Sequence, residues 1–253
     1  MATDKFLVTI PGSKDSGTSQ DEEYCIVELD GVKRRIRFHD YHEIYRIPGL
    51  YEYLFCDKLG CVSPEVVTGL LGDAVAKSSA SLSELDILEI GAGNGIVGEL
   101  LKKQGIRTIV GIDIIPEAAE ATRRDRPSVY DDYYIADLEN LSSDTKKSLE
   151  AGGFNCLVTV GALGFGDIHP KAFANAYSFI AQDGWIAFNI KEDFLEESDA
   201  TGFSRLIREM VERGILEVQV KHRYRHRFSV DRRPLYYSGI IAKKKAAIHE
   251  QML

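Results

Sequence analysis

The feature that most constrains this chain is a cluster of glycines at the end of an apolar run. Residues 87–98 read Ile-Leu-Glu-Ile-Gly-Ala-Gly-Asn-Gly-Ile-Val-Gly. The first four suit a buried strand, the glycines a tight turn, and the apolar positions after Gly95 the start of a helix. Glycine is needed where the backbone takes a positive φ or where a ligand must approach the main chain closely. In open α/β sheets such a turn lies at the carboxyl end of a strand, where ligands bind.

The surrounding pattern agrees with that placement. Strands are predicted at 86–90, 106–112, 133–136, 155–160 and 185–190, with helices at 96–104, 117–124, 171–181 and 203–213 and a polar, weakly helical segment running to Ala151. This alternation implies parallel βαβ units with helices on both faces. The runs at 216–228 and 236–243 have no helix between them, so they must pair as an antiparallel hairpin. Upstream, Asp30-Gly31 between two strand-like runs predicts a β-hairpin over about 24–38. Residues 39–63 are dense in aromatics, and Pro64 suits the first turn of a helix. The expected fold is α/β: a Rossmann-like, doubly wound, mostly parallel seven-stranded sheet with a C-terminal antiparallel hairpin and an N-terminal hairpin and helical lid. The expected divisions are a flexible N-terminus at 1–23, the hairpin and lid at 24–83, the main domain at 84–245 and a tail at 246–253.

Bulk properties narrow the function. A chain of 253 residues can bury one substantial core. The formal charge of −8 disfavours extended contact with nucleic acid. No stretch of about 20 apolar residues is present, which argues against a helical membrane span. The first ten residues lack the pattern of a secretion signal, so a cytoplasmic location is the default expectation. Cysteines at 25, 56, 61 and 156 form no C-x-x-C pair, so reduced thiols and no metal site are expected.

Two carboxylates stand at telling places. Asp113 ends the strand after the glycine loop, where an acidic side chain can accept hydrogen bonds from both hydroxyls of a ribose. Asp137 ends the next strand, where it can accept from the amino group of an adenine while Leu138 packs on the ring. Val160 and Gly161, ending the fourth strand, would face the reacting end of the ligand. In order, Glu-Ile-Gly-Ala-Gly-Asn-Gly at 89–95, Gly-Ile-Asp at 111–113, Ala-Asp-Leu at 136–138 and Asp183-Gly184-Trp185 resemble the class I S-adenosylmethionine-dependent methyltransferases. The resemblance covers about residues 84–245.

It implies the cofactor S-adenosylmethionine, with S-adenosylhomocysteine as product. It also implies a cofactor site built from Glu89, Gly91, Ala92, Gly93, Asn94, Gly95, Asp113, Ile114, Asp137, Leu138, Val160 and Gly161. Glu89 would orient the glycine loop near the methionine amino group. Gly95-Ile-Val-Gly-Glu-Leu-Leu, Tyr134-Ile-Ala-Asp-Leu and Val160-Gly-Ala-Leu-Gly-Phe-Gly are further similar to the small-molecule and Williams–Beuren-region methyltransferase-like members, from which the N-terminal hairpin departs. A small-molecule acceptor is therefore expected.

Other readings stay open at this point. Gly93-Asn-Gly-Ile-Val-Gly98 fits G-x-G-x-x-G, so an NAD-dependent oxidoreductase competes, although Glu89 within the strand and the extra Gly91 oppose it. Asp113 and Asp137 could be plain strand-end caps, and a scaffold that kept the fold but lost activity is another alternative. Lys221, Arg223, Arg225 and Arg227 alternate along one strand, which puts four cations on one face: a solvated face, or a site for an anionic partner such as a protein or RNA substrate. His39, His42 and His169 are candidate bases, and none is assigned a catalytic role. Tyr45 and Tyr53 are candidates to cover the methionine end of the cofactor, with core packing as the alternative.

Overall fold

The computed structural model describes residues 6–11, 20–196 and 198–253. Residues 1–5 and 12–19, the greater part of the predicted flexible N-terminus, lie outside the described residues.

The predicted seven-stranded sheet is present. Its strands are β4 (Asp86–Ile90), β5 (Thr108–Asp113), β6 (Asp132–Ile135), β7 (Cys156–Thr159), β8 (Trp185–Lys191), β9 (Leu216–Phe228) and β10 (Pro234–Lys244). They lie in the order β6-β5-β4-β7-β8-β10-β9. β4 to β8 are parallel neighbours, and β10 runs antiparallel to both β8 and β9. The order reverses between β4 and β7, which fixes the ligand crevice at the carboxyl ends of those two strands.

Both faces of the central strands β4, β5, β7 and β8 are covered, which explains why these four are buried almost throughout rather than alternating. Ile87, Ile109, Val158 and Ala187 pack with Val67, Leu71 and Val75 of α2 (Ser63–Ala76) and with Val97 and Leu101 of α3 (Ile96–Lys103). Leu88, Ile90, Leu157 and Phe188 face the other way. They pack against α5 (Ser143–Ala151), α6 (Pro170–Ser178) and α7 (Phe203–Glu212) through Leu149, Phe173, Tyr177, Phe203 and Leu206. α4 (Pro116–Asp125) follows β5 and brings Ala118 and Ala121 against Tyr45.

The N-terminal segment forms a cap. The predicted hairpin is there as β2 (Tyr24–Leu29) and β3 (Val32–Arg37), turned by Asp30 and Gly31. A third strand joins it: β1 (Phe6–Thr9) pairs with β2. It falls within the stretch read as a flexible N-terminus, and it is held because Phe6 and Val8 pack into the cap's apolar cluster. The aromatic-rich stretch folds as α1 (Tyr41–Arg46) and a π-helical turn, Glu52–Lys58. The cap is fastened to the far end of the main sheet by Glu23, whose carboxylate accepts from Arg227 at 2.6 Å and from the Val230 backbone N–H at 2.7 Å. At the other terminus Met252, in the stretch read as a tail, is buried against the core, with Arg205 donating to its carbonyl.

Among the described residues no single helix is long and apolar enough to cross a membrane. The bent pair formed by the π-helical turn and α2, at 75°, meets the length and composition criterion together.

Candidate functional site

The glycine loop links β4 to α3 through three left-handed residues, Gly91, Gly93 and Gly95, with φ of +63°, +55° and +83°. A larger residue at Gly93 would be strained by the positive φ, and its Cβ would lie 2.6 Å from the Tyr45 hydroxyl of the cap, which would have to shift. The peptide beside it is clamped. The Gly93 N–H donates to Asp113 Oδ2 at 2.9 Å, and its carbonyl accepts from Thr122 Oγ1 and the Tyr133 hydroxyl, both at 2.8 Å. Asp113 Oδ1 accepts from the Ile115 N–H at 3.0 Å. Burial raises the Asp113 carboxyl above its ordinary value despite these N–H donors, which favour the charged form.

Glu89 lies beneath this loop. Period two places it on the face that Ile87 shares with α2 and α3, and it is 2 % exposed. The Tyr130 hydroxyl donates to its Oε2 at 3.0 Å. Burial outweighs that bond and pushes the Glu89 carboxyl up to about 8, so it is mainly protonated at neutral pH.

At the carboxyl ends of β4 to β7 opens a cleft of about 430 Å³. Eight of the residues expected at a cofactor site line it: Tyr45, Gly91, Asp113, Ile114, Asp137, Leu138, Val160 and Gly161. Glu89, Ala92, Gly93, Asn94 and Gly95 are not on its wall; they form the layer behind it. Asn94 is buried and donates to Glu52 Oε1 at 2.8 Å, and Glu52 pairs with Arg126, which also pairs with Glu99. These contacts tie the cap to the glycine loop. Asp137 is poised differently from Asp113: it is only partly buried, and the Asn140 amide and the Glu139 N–H hold its carboxyl below the usual range.

The cleft wall also contains residues to which sequence reasoning gave no role, notably Tyr41, Tyr51, Glu139 and Asp167. Tyr41, Tyr45 and Tyr51 stack in series, with ring centroids 6.0 and 5.4 Å apart. The signal for them was the aromatic density of 39–55 and the i, i+4 spacing of Tyr41 and Tyr45, which puts both on one helix face. Tyr53 instead packs edge-on against Phe6 within the cap. Of the candidate bases, His169 lies on the cleft rim with Nδ1 3.2 Å from Glu139, and His42 is on the surface beside Glu43. His39 is mostly buried, with Nδ1 3.4 Å from Asp167.

Asp113, Asp137, Glu139 and Asp167 place four carboxylates on the cleft wall, whose described lining includes neither lysine nor arginine. The surface is therefore electronegative and suits a cationic ligand.

The four cations of β9 do not share one face, contrary to the period-two expectation. Arg227 pairs with Leu235 and Arg225 with Tyr236, so His226 is an extra residue in a bulge. The bulge turns both His226 and Arg227 inward. Arg227 is 2 % exposed against Glu23, Arg223 pairs with Glu192, and Arg225 donates to the Gly60 carbonyl. Lys221 is exposed, so the run presents no continuous basic stripe.

Comparison with known proteins follows this geometry. Residues 65–231 match the family described as a methyltransferase domain. No curated protein sequence matches the chain significantly. Among solved structures, the N-methyltransferase NodS from Bradyrhizobium japonicum, in complex with S-adenosylhomocysteine, is similar with a TM-score of 0.55 and 15 % identity. It covers 83 % of this chain and 98 % of its own. The magnesium protoporphyrin IX methyltransferase ChlM from Synechocystis, with bound S-adenosylhomocysteine, gives a TM-score of 0.50 and 12 % identity over 72 % of this chain and 83 % of its own. At these identities the likeness concerns the fold.

Proposed function

This chain belongs to the methyltransferase-domain family, and from that premise we propose that its cleft binds S-adenosylmethionine and that it methylates a small-molecule acceptor. The observation that carries the cofactor reading is the electronegative cleft beside the glycine loop. A sulfonium and an ammonium are both cationic, so four carboxylates and a row of tyrosine faces complement them. The same wall disfavours the dinucleotide reading, because a pyrophosphate would meet carboxylates and no cation.

The residues present fit the proposed group. The volume lies within the ordinary range for a ligand pocket, roughly 300–1,000 Å³. Asp113 spends one acceptor site of each oxygen on a backbone N–H and keeps others for a pair of hydroxyls. Asp137 and Leu138 offer an acceptor and an apolar surface to a purine, and Ile114, 59 % exposed on the rim, is an apolar surface without other cover. Gly161 donates its N–H to Asn189 at 2.7 Å, which fixes the turn after β7.

When bound, the cofactor supplies a methyl group already activated on sulfur. The chain's part is then to position the acceptor in line with that methyl and to keep water out. Orientation of this kind is worth about 7–11 kcal/mol of barrier. The stacked cap tyrosines close the side of the cleft that the Rossmann-like core leaves open. A small acceptor is supported by the same closure and by the absence of a basic stripe on β9, which an RNA substrate would need.

Calorimetry tests the reading. S-adenosylmethionine and S-adenosylhomocysteine should both bind the full chain at micromolar concentration or below, and NAD should not. Binding of NAD without either sulfur compound would overturn it.

A further inference from the structure

The strand order β6-β5-β4-β7 sets four groups side by side along the crevice. They are Asp137 after β6, Asp113 at the end of β5, Gly91 after β4, and the loop 160–168 after β7. The last two are in contact, since a Cβ on Gly91 would lie 2.6 Å from the Ala162 side chain and 3.2 Å from that of Ile168. The loop is held by its own hydrogen bonds. The Asp167 N–H donates to the Gly164 carbonyl at 3.0 Å, and the Ile168 N–H to the Ala162 carbonyl at 3.1 Å. Asp167 is thereby fixed on the cleft wall, in strand order on the other side of Gly91 from Asp113 and Asp137.

The four carboxylates of the wall are not equivalent. Asp113 accepts from the Gly93 and Ile115 N–H groups, and Asp137 from the Glu139 N–H and the Asn140 amide. Glu139 pairs with His169 and Lys171. Asp167 differs, although its side chain is only 29 % exposed. His39 Nδ1 lies 3.4 Å from its Oδ2 without the alignment of a hydrogen bond, and no other described residue donates to it. Hydrogen bonds to a charged group are the stronger ones, so a partly enclosed carboxylate gains from each donor that reaches it. For Asp167 those donors are left to solvent or to whatever enters the cleft.

The surroundings of Asp167 favour a positive group. Burial raises the Tyr41 hydroxyl above its ordinary value, and the Asp167 charge raises it further; the same charge adds to the burial that raises Asp113. Asp167 therefore stands near both an aromatic ring of the cap and the carboxylate assigned to the ribose. The cations of this region are already matched: Arg227 by Glu23, and Lys191, whose Nζ lies 5.4 Å from the Phe165 ring centroid, by Asp193 at 2.6 Å. A carboxylate without a donor beside an aromatic face suits a nitrogen that brings N–H donors and positive charge together. An anionic acceptor would meet four carboxylates instead.

We propose that the methyl acceptor is a primary or secondary amine and that Asp167 is the catalytic residue that holds its nitrogen. The proposal rests on the reading of the cleft as the S-adenosylmethionine site. The amine reacts in its neutral form, the proton of its ammonium form having passed to solvent. Its lone pair forms the bond to the methyl carbon, and the carbon–sulfur bond breaks with its electron pair left on sulfur. The positive charge thus moves from sulfur to nitrogen. Asp167 faces the atom at which that charge arrives, so its attraction grows through the step, and only such a difference speeds a reaction. A hydroxyl acceptor ends as a neutral ether, to which the carboxylate offers no comparable attraction.

The test uses the full chain. Transfer from S-adenosylmethionine with a labelled methyl group is measured to benzylamine, phenethylamine and putrescine, and to the matched benzyl alcohol and benzoate. At least one amine should be methylated on nitrogen, as read by mass spectrometry, and in preference to the alcohol and the acid. Asp167→Asn should lower kcat/KM for that amine by about 10–10²-fold, the worth of one hydrogen bond to a charged group. The loss should appear in kcat as well as KM, while S-adenosylhomocysteine affinity and the thermal midpoint are unchanged. No transfer to any amine, a preference for the alcohol or the acid, or a loss in Asp167→Asn that is absent or confined to KM overturns the proposal. If S-adenosylhomocysteine itself fails to bind the wild-type chain, the donor-site reading has failed instead; if it binds and no amine is methylated, the acceptor proposal alone has.

Discussion

The two walls of the cleft are built in opposite ways. One wall is the Rossmann-like core: Gly91, Asp113, Asp137 and Gly161 each sit at the carboxyl end of a parallel strand, and hydrogen bonds fix Asp113, Asp137 and Gly161 there. The other is the cap, where Tyr41, Tyr45 and Tyr51 reach the cleft only because a separate small sheet and two short helices dock across α4 and the β9–β10 end. The cap docks on the core through side-chain packing and through ion pairs that include Glu23–Arg227 and Glu52–Arg126. The lesson is that the core wall of the cleft follows from the fold, whereas the cap wall depends on a docking event.

That contrast can be broken most forcefully at Glu23. Glu23→Gln leaves the Arg227 guanidinium buried without a counter-charge, and removing one partner of such a pair costs about 3–5 kcal/mol. Urea unfolding should show a loss of that size, while S-adenosylhomocysteine affinity of the folded protein falls less than tenfold. An affinity loss matching that of a core-wall variant would mean that the two walls are one unit.

Asp113→Asn should give the reverse pattern. Hydrogen bonds to a charged group are each worth about 1.5–3 kcal/mol, so affinity for S-adenosylhomocysteine should drop by about 10²-fold in calorimetry. Equal affinity for wild type and variant would remove the ribose assignment.

A pH signature is expected from Glu89, which belongs to the core wall's supporting layer. Its folded pKa of about 8 exceeds the ordinary 4.5, so the native state binds a proton that the unfolded state has released between those values. Stability should therefore be highest at the acid end of this window, decline as pH rises towards 8, and level off above. Glu89→Gln should flatten the decline while keeping an acceptor for Tyr130. Parallel urea midpoints for both proteins from pH 5.5 to 8.5 would refute it.

The residues themselves show how far sequence carries. Strand–helix alternation, the Asp30-Gly31 turn and the unbridged final pair of strands were enough to give the sheet, its hairpins and the place of the crevice. These rest on periodicity and turn chemistry, which act over a few residues. The same locality made Gly91, Asp113, Asp137 and Gly161 legible, because each sits at a fixed offset from a strand end.

What the sequence could not determine is whatever two distant segments make together. Tyr41 and Tyr51 were visible only as aromatic density, and Tyr53 was indistinguishable from Tyr45 until the π-helical turn set which ring faces the cleft. Alternation predicted one cationic face on β9, but a single bulge at His226, formed where β9 pairs with β10, turned Arg227 inward to meet Glu23, 204 positions away. Gln20, His39 and Tyr237 likewise come from three separate stretches of the chain and together line one small cavity beside the cleft. Local pattern fixes which way a side chain points from its own element; only docking of one element on another decides what it meets.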